Sequence, residues 1–194
     1  FYVGASEFLG GQSNARRVLA AAAEDGVDIV RGVCPIQEVG HSGLEARCAG
    51  VRSVFEEYGI EVDGLTTNND PNDNAGILTD YFTANPETNA IFVLGPTPAQ
   101  ALNQYFHEAG RMPRDVYATT HDTSAEIYEM IQEGYLLQAI DQQPYLQGFE
   151  TIMWLYLNSQ FALSPGGDIY TGPGVIDLDN VEAEIGRASC RERV

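Results

Sequence analysis

The chain has 194 residues, of which 44% are apolar and 10% aromatic, and this is the composition of a globular protein. Its ten basic residues, all arginine, stand against 28 acidic ones, and the formal net charge is −18. This balance argues against nucleic-acid binding, because contact with phosphates needs a basic surface. No stretch reaches the roughly 20 apolar residues that a membrane-spanning helix requires.

Apolar strand-like runs alternate with amphipathic segments along the chain. We predict strands at 27–33, 60–66, 90–95, 116–120 and 136–141, and helices at 10–24, 42–58, 97–109, 124–133 and 145–161. In each helical segment the apolar residues recur on one face. The strands are almost continuously apolar, which is typical of strands covered on both faces. The alternation predicts an α/β fold built on a doubly wound parallel sheet.

The three cysteines, Cys34, Cys48 and Cys190, fit no zinc or redox spacing. Cys34 lies near a predicted strand end and Cys48 lies in the next helix, so a disulfide between them is one interpretation. We favour the other, in which both are small buried side chains without a bridge.

The two ends of the sequence differ from the rest. The chain opens without Met on FYVGASE, which resembles the end of a strand, and we therefore expect a fragment that lacks its natural N-terminus. Residues 184–194, EIGRASCRERV, are basic and have no apolar period, and their back-translation resembles a sequencing adapter. We expect a non-biological tail there, and a natural basic tail is the alternative.

The segment 70–74, DPNDN, is similar to the start of a calcium-binding loop. The twelfth position of such a loop would be Tyr81 instead of Glu, and Ala75 stands where the loop needs Gly. We interpret the segment as a capped polar loop, and we expect no metal and no cofactor.

Polar planar side chains follow four of the five predicted strands. In doubly wound sheets, ligands bind beyond the carboxyl ends of the strands. No strand end carries a glycine-rich phosphate loop with a lysine. Asp accepts hydrogen bonds, Arg donates them, and Asn and Gln do both, as the hydroxyls of a sugar require. The pattern predicts a crevice for a neutral, polyhydroxylated molecule.

Each of these polar residues also has a purely structural interpretation. Arg47 could be a surface helix residue, and Gln142 could merely cap a turn. Asp122 or Thr123 could cap the helix predicted at 124. His121 could be a packed imidazole with its hydrogen bonds satisfied.

Three stretches carry a resemblance to a known family: GHSGLEARCAGV, TANPETNAIFVLGPTPAQALNQYFHEAG and LLQAIDQQPYLQGF. Their order and spacing resemble the ribose-type sugar-binding proteins of bacterial ABC importers, in the type I periplasmic binding protein family. The resemblance runs from about residue 1 to residue 182. It implies a clamp of two doubly wound lobes that closes on a sugar by hinge bending.

The resemblance also implies a division of the chain between the lobes. Residues 1–7 would end the first lobe and cross the hinge, and residues 8–142 would form the second, sugar-binding lobe. Residues 143–163 would be a helix of the first lobe, and residues 164–183 would return to the second. The rest of the first lobe would be largely missing.

Four sugar contacts carry over from the resemblance. Arg47 matches an arginine that clamps sugar hydroxyls, and Asp122 matches a strand-end aspartate. His121 stands at the place of an aromatic residue that stacks on the sugar. Gln142 matches a glutamine of the hinge strand that also binds hydroxyls.

Other positions match less closely. Asn69 or Asp70 stands where the family often has an aromatic residue, and Glu7 is expected to reach the crevice from the first crossing. Gly95-Pro96 replaces the Asn-Asp of ribose binders, so one side-chain ligand is absent and ribose itself is in doubt.

The resemblance implies the substrate-binding component of an ABC transporter, which captures a pentose, hexose or related polyol and delivers it to a membrane permease. We expect a monomer, periplasmic or extracytoplasmic, whose full-length parent is free or lipid-anchored. The alternative is the sugar-responsive effector domain of a lactose-repressor-type transcription regulator, which shares the fold. An enzyme that uses His41, Cys48 and Asp122 is disfavoured, because no nucleophile–base pattern is visible.

Overall fold

The computed structural model of the protein describes residues 1–185. Its elements alternate between strand and helix throughout. In chain order they are β1 (Val3–Gly4), α1 (Glu7–Asp25), β2 (Arg31–Ile36), α2 (Ser42–Glu56), β3 (Glu61–Thr66), α3 (Pro71–Ala84), β4 (Ala90–Phe92), α4 (Pro96–Glu108), β5 (Tyr117–His121), α5 (Ala125–Gln132), β6 (Gln138–Asp141), α6 (Pro144–Phe161), β7 (Ile169–Tyr170) and β8 (Gly174–Asp177).

The main sheet has six strands in the order β3-β2-β4-β5-β6-β8. The first five are parallel, and β8 pairs with β6 antiparallel as an edge strand that the sequence did not indicate. The carboxyl ends of β2, β4, β5 and β6 therefore meet at one edge of the sheet. The predicted α/β fold with a doubly wound, mostly parallel sheet is confirmed.

Helices cover both faces of this sheet. Helices α1 and α2 pack on one face, and α3, α4 and α5 pack on the other. Successive residues of β4 point to opposite faces, so Phe92 lies in the first core and Ile91 in the second. This burial on both sides is why the strands are almost continuously apolar.

The first strand of the sheet lies further along the chain than predicted. We placed it at 27–33, whereas it spans Arg31–Ile36. Val27 and Val30 are 42% and 58% exposed, so their apolar character does not mark the strand. The register is set where Arg31 pairs with Glu61 at the start of β3, and an ion pair of 3.2 Å joins their side chains.

A helix, not a polar loop, follows the strand β3. Asp70 caps α3, because its side chain accepts a hydrogen bond of 2.9 Å from the backbone N–H of Asn72. Pro71 occupies the first position of the helix, where its missing N–H costs nothing. The interpretation of 70–74 as a loop is therefore wrong, since these residues cap and begin a helix of 14 residues.

A disulfide joins Cys34 in β2 to Cys48 in α2, with the two Cα atoms 6.0 Å apart. Our preferred interpretation, two unbridged buried cysteines, is wrong on this point. The reason is geometric: α2 folds back over β2, and both residues face the core between them, where each is 0% exposed.

A smaller unit lies beside the main sheet. β1 and β7 pair in parallel as a two-stranded sheet, and α6 packs against β1. None of the residues of α6 is buried, and Phe149 and Ile152 are 55% and 67% exposed. Within residues 1–185, no helix has both the length and the apolar character to cross a membrane. Of the tail predicted at 184–194, residues 186–194 lie outside the described residues.

Candidate functional site

Four of the predicted site residues lie together at the carboxyl edge of the main sheet: Glu7, Arg47, Asp122 and Gln142. We call these four the strand-end network. The Nε of Arg47 donates to Glu7 Oε2 at 2.5 Å, and its Nη1 lies 3.5 Å from Asp122 Oδ2. The Nε2 of Gln142 donates to Asp122 Oδ1. A continuous chain of polar contacts therefore runs from the start of α1 to the end of β6.

Arg47 is fixed by the backbone as well as by its ion pairs. The residue is only 6% exposed, and its Nη1 donates to the carbonyl oxygen of Leu94 at 2.6 Å. Its Nη2 makes no hydrogen bond to any residue in 1–185, and is not enclosed. Arg47 is therefore no surface helix residue, and it presents two N–H donors at the edge of the network.

Asp122 adopts a left-handed backbone conformation, with φ of 64°, directly after β5. Its N–H donates to the carbonyl oxygen of Ile140 at 2.8 Å, which ties this turn to β6. The helix α5 is capped by Ser124, whose Oγ accepts from Ile127 N at 3.2 Å. Neither Asp122 nor Thr123 is needed as the cap, and the Asp122 carboxylate, 31% exposed, is left for the network.

Gln142 does not cap the turn between β6 and α6. Asp141 makes that turn, because its Oδ1 accepts from Gln143 N at 2.8 Å. The backbone carbonyl of Gln142 accepts from Gln147 Nε2 and from Thr171 Oγ1, both at 2.8 Å. These bonds hold the backbone of Gln142 in place and leave its side-chain amide directed at Asp122.

His121 points away from the network, into the core between β5 and α1. It is 1% exposed, and its Nδ1 lies 3.3 Å from Asn14 Nδ2, while Nε2 is buried with no partner within residues 1–185. Burial, and secondarily the nearby positive charge of Arg47, holds the pKa of His121 well below its usual range. The side chain is therefore a neutral, packed imidazole, and we leave it out of the sugar contacts proposed below.

The remaining predicted residues lie apart from the network. Asn69 and Asp70 are both exposed at the start of α3, where Asp70 serves as the helix cap. Neither forms a hydrogen bond with any of the four network residues. Their predicted role as sugar contacts remains a prediction.

Two of the three residues of the disfavoured enzyme interpretation have structural roles. His41 caps α2, and its Nδ1 accepts from Gly43 N at 3.2 Å and Leu44 N at 3.4 Å. Cys48 is in the disulfide. Within the described residues no group of three or more His, Cys, Asp or Glu side chains is placed to hold a metal.

The network offers both hydrogen-bond donors and acceptors at one place. Two carboxylates and one guanidinium leave it with a single net negative charge, and the amide of Gln142 is neutral. Such a set matches hydroxyl groups, each of which donates one hydrogen bond and accepts others. The sequence did not reveal how Glu7 and Arg47 come so close. The signal was Gly11 in α1 and Gly50 in α2, which lie where the two helices cross.

Comparison with known proteins finds sugar-binding and carbohydrate-transport proteins among the relatives of this chain. XylF, the xylose/arabinose-binding protein of Sulfolobus acidocaldarius, is 27% identical over 187 residues, covering 93% of this chain and 45% of the relative. A carbohydrate transporter from Acidothermus cellulolyticus, solved with myo-inositol, is 29% identical with a TM-score of 0.81, covering 97% of this chain and 63% of that one. A periplasmic sugar binding protein of an ABC transporter from Legionella pneumophila is 26% identical with a TM-score of 0.78, covering 89% and 62%.

The matches cover most of this chain but only part of each relative. The chain spans less than half of the curated relative and under two thirds of the two solved chains. The family described as the periplasmic binding protein domain matches residues 1–161, which is most of the sequence. The chain therefore belongs to the periplasmic binding protein domain family.

Proposed function

We propose that this chain carries the sugar-binding lobe of the substrate-binding component of an ABC importer. The strand-end network binds the hydroxyls of a simple sugar, such as a pentose, hexose or related polyol. The protein then delivers this sugar to a membrane permease outside the cytoplasm, without any chemical change to it. The relatives named above support this proposal, since their names give sugar binding and transport.

The observation that carries the proposal is the position of the Asp122 carboxylate. It lies between the Nη1 of Arg47 and the Nε2 of Gln142, and 31% of the side chain remains exposed. A hydroxyl placed there donates to Asp122 and accepts from the free Nη2 of Arg47. A hydroxyl left without such partners on binding would cost about 1–3 kcal/mol. The pairing therefore favours ligands whose hydroxyl finds both partners over ligands whose hydroxyl does not.

A second lobe belongs to the proposal. The smaller unit of β1, β7 and α6 is separate from the main sheet, and the exposed apolar side chains of α6 suit a helix that packs on further strands. On this proposal residues 1–7 and 143–163 belong to the other lobe together with β7, which pairs with β1. Residues 8–142 and the later part of 164–183, from β8 onward, form the sugar-binding lobe. The hinge crossings then pass beside Glu7 and Gln142, so closure alters the network directly.

The test measures sugar binding to the chain and to the variant Asp122→Asn, with NMR on ¹⁵N-labelled protein as the method of detection. Asn keeps the size of Asp and tolerates the left-handed conformation, so the fold should be retained. D-Xylose, L-arabinose and myo-inositol are added in turn, and the Nε–H signal of Arg47 and the side-chain amide signals of Gln142 are monitored. We expect at least one sugar to shift these signals, and the variant to lose at least about ten-fold in affinity.

The matched control is Asp28→Asn, at an exposed aspartate before β2, on the opposite edge of the sheet. It should bind sugar like the parent chain. ¹³C NMR of the sugar after incubation should show no product. Equal affinity of Asp122→Asn and the parent, or conversion of the sugar, would overturn the proposal.

A further inference from the structure

Gln37 lies immediately after β2, at the same edge of the sheet as the strand-end network. Its side-chain amide stands beside Gly95, which has no side chain of its own to occupy this space. A Cβ at Gly95 would lie 3.4 Å from Gln37 Nε2 and 4.0 Å from Asp122 Oδ2. The amide of Gln37 and the carboxylate of Asp122 therefore border one open space above Gly95.

The hydrogen bonding of Gln37 is incomplete within residues 1–185. Its Oε1 is buried and has no partner, and its Nε2 makes no hydrogen bond to any described residue, although it is not enclosed. A buried amide oxygen without a partner is destabilising. The residue as a whole is half-buried, and its amide oxygen is the polar atom that solvent does not reach.

We propose that Gln37 is a further sugar-contacting residue, which acts together with Asp122 on one hydroxyl. The Nε2 of Gln37 donates to the hydroxyl oxygen, and the hydroxyl donates its own hydrogen to Asp122 Oδ2. One hydroxyl can make both bonds, because it is donor and acceptor at once. The inference rests on the proposed function, since it names an additional contact of the same site.

The chemistry of the neighbouring groups supports this assignment. Arg47 is the donor on one side of Asp122, and its Nη1 is already bound to the Leu94 carbonyl. Gln37 supplies a donor on the Gly95 side, where its Nε2 and the Oδ2 of Asp122 are the atoms that a Cβ at Gly95 would meet. A neutral amide adds this donor without changing the charge of the site, which suits an uncharged ligand.

The experiment compares Gln37→Leu with the parent chain, by the same NMR titration with D-xylose, L-arabinose and myo-inositol and by chemical unfolding. Leucine has a similar volume and no polar atoms. We expect affinity for the bound sugar to fall about ten-fold. Stability should be unchanged or higher, because the unpaired buried oxygen is gone. In the parent, the side-chain amide signals of Gln37 should shift on addition of the sugar.

The matched control is Gln132→Leu, at an exposed glutamine that ends α5. It should leave affinity unchanged. If Gln37→Leu binds as tightly as the parent while Asp122→Asn does not, this inference is overturned and the proposed function stands. If Gln37→Leu loses affinity and stability together, the residue is structural and the inference fails. If no sugar shifts the signals of Arg47, both proposals fail.

Discussion

A Cβ on Gly11 would collide with the backbone carbonyl oxygen of Arg47, because α1 and α2 cross in direct backbone contact. Gly50 has the same relationship to the carbonyl oxygen of Phe8. This reciprocal pair of glycines sets how close the two helices come. The crossing brings Glu7, at the start of α1, to 2.5 Å from the Nε of Arg47. The two glycines therefore position this ion pair, although neither has a side chain that takes part in it.

We therefore predict that Gly11→Ala weakens both the fold and the network. The added methyl group forces the helices apart, and overpacking of this kind costs about 1–3 kcal/mol of unfolding free energy. Sugar affinity should fall as well, because Glu7 and Arg47 separate. Urea unfolding and the NMR titration measure the two effects.

The control for this prediction is Gly76→Ala, another glycine inside a helix. A Cβ at Gly76 has no atom within 4 Å, so alanine should be neutral or stabilise by up to about 1 kcal/mol. If Gly11→Ala proved as stable as Gly76→Ala, the close crossing would not be what holds the helices in place.

The Cys34–Cys48 disulfide should contribute measurably to stability. It closes a loop with a sequence separation of 14 residues, and cross-linking a loop of this length stabilises by about 3 kcal/mol, mainly by restricting the unfolded chain. We expect Cys34→Ala combined with Cys48→Ala to lower the free energy of unfolding by this amount. Cys190→Ser serves as the background, so that no third thiol can exchange.

Two further results check the disulfide prediction. Reductant should lower the unfolding midpoint of the Cys190→Ser chain and leave that of the double-alanine variant unchanged. Thiol labelling of the unfolded, unreduced Cys190→Ser chain should find no free thiol. Two reactive thiols in that chain would show that the bridge does not form.

Stability should also fall in mild acid, because of His121. Its pKa in the folded protein lies well below the usual value, whereas in the unfolded chain it returns to about 6.5. Below about pH 6.5 the His121 imidazole therefore binds a proton in the unfolded state but stays neutral in the folded state. The stabilisation is present above about pH 6.5 and is lost as the pH falls, at up to about 1.4 kcal/mol per pH unit.

The variant His121→Leu should have a flatter stability profile between about pH 6.5 and 5. It is expected to be less stable at neutral pH, because Asn14 loses one partner, but it keeps the bond of 3.1 Å from Asn14 to the Thr120 carbonyl. The slope of the unfolding free energy against pH is therefore the measurement. His107→Gln, at an exposed histidine, should keep the slope of the parent, and an equal slope in His121→Leu would contradict the assignment.

The sequence could predict which strand ends share an edge, but not how the helices cross. Asp122 and Gln142 follow strands that are neighbours in the sheet, and the carboxyl ends of parallel strands meet at one edge. Their proximity follows from the order of the elements alone. The contact of Arg47 with Glu7 depends on backbone approach at Gly11, which no hydrophobic pattern records.

Two errors in the predicted elements have a similar origin. Val27 and Val30 fit the pattern of a strand, but they lie before the start of β2. The start of β2 is decided by its pairing with β3 and not by local composition. The start of α3 read as a polar loop, because Asp70 and Pro71 are turn formers as well as a cap and a first helical residue. In both places the local signal was compatible with two structures. Pairing with β3 decided the first, and in the second the helix places Leu78 and Phe82 in the core.

The last prediction concerns the unfolding free energy above about pH 10, which should fall because of the raised pKa of Tyr81. Partial burial, together with a hydrogen bond of 2.6 Å from its hydroxyl to Asp63 Oδ2, raises the pKa of Tyr81 to about 12. The folded state thus keeps a proton that the unfolded chain loses near pH 10. The stabilisation is complete below about pH 10 and disappears as the pH approaches 12. Tyr81→Phe should remove this part of the alkaline decline in unfolding free energy, whereas Tyr58→Phe, at a tyrosine that is 65% exposed, should not. If the two variants declined alike above pH 10, the bond to Asp63 would not be what protects the Tyr81 proton.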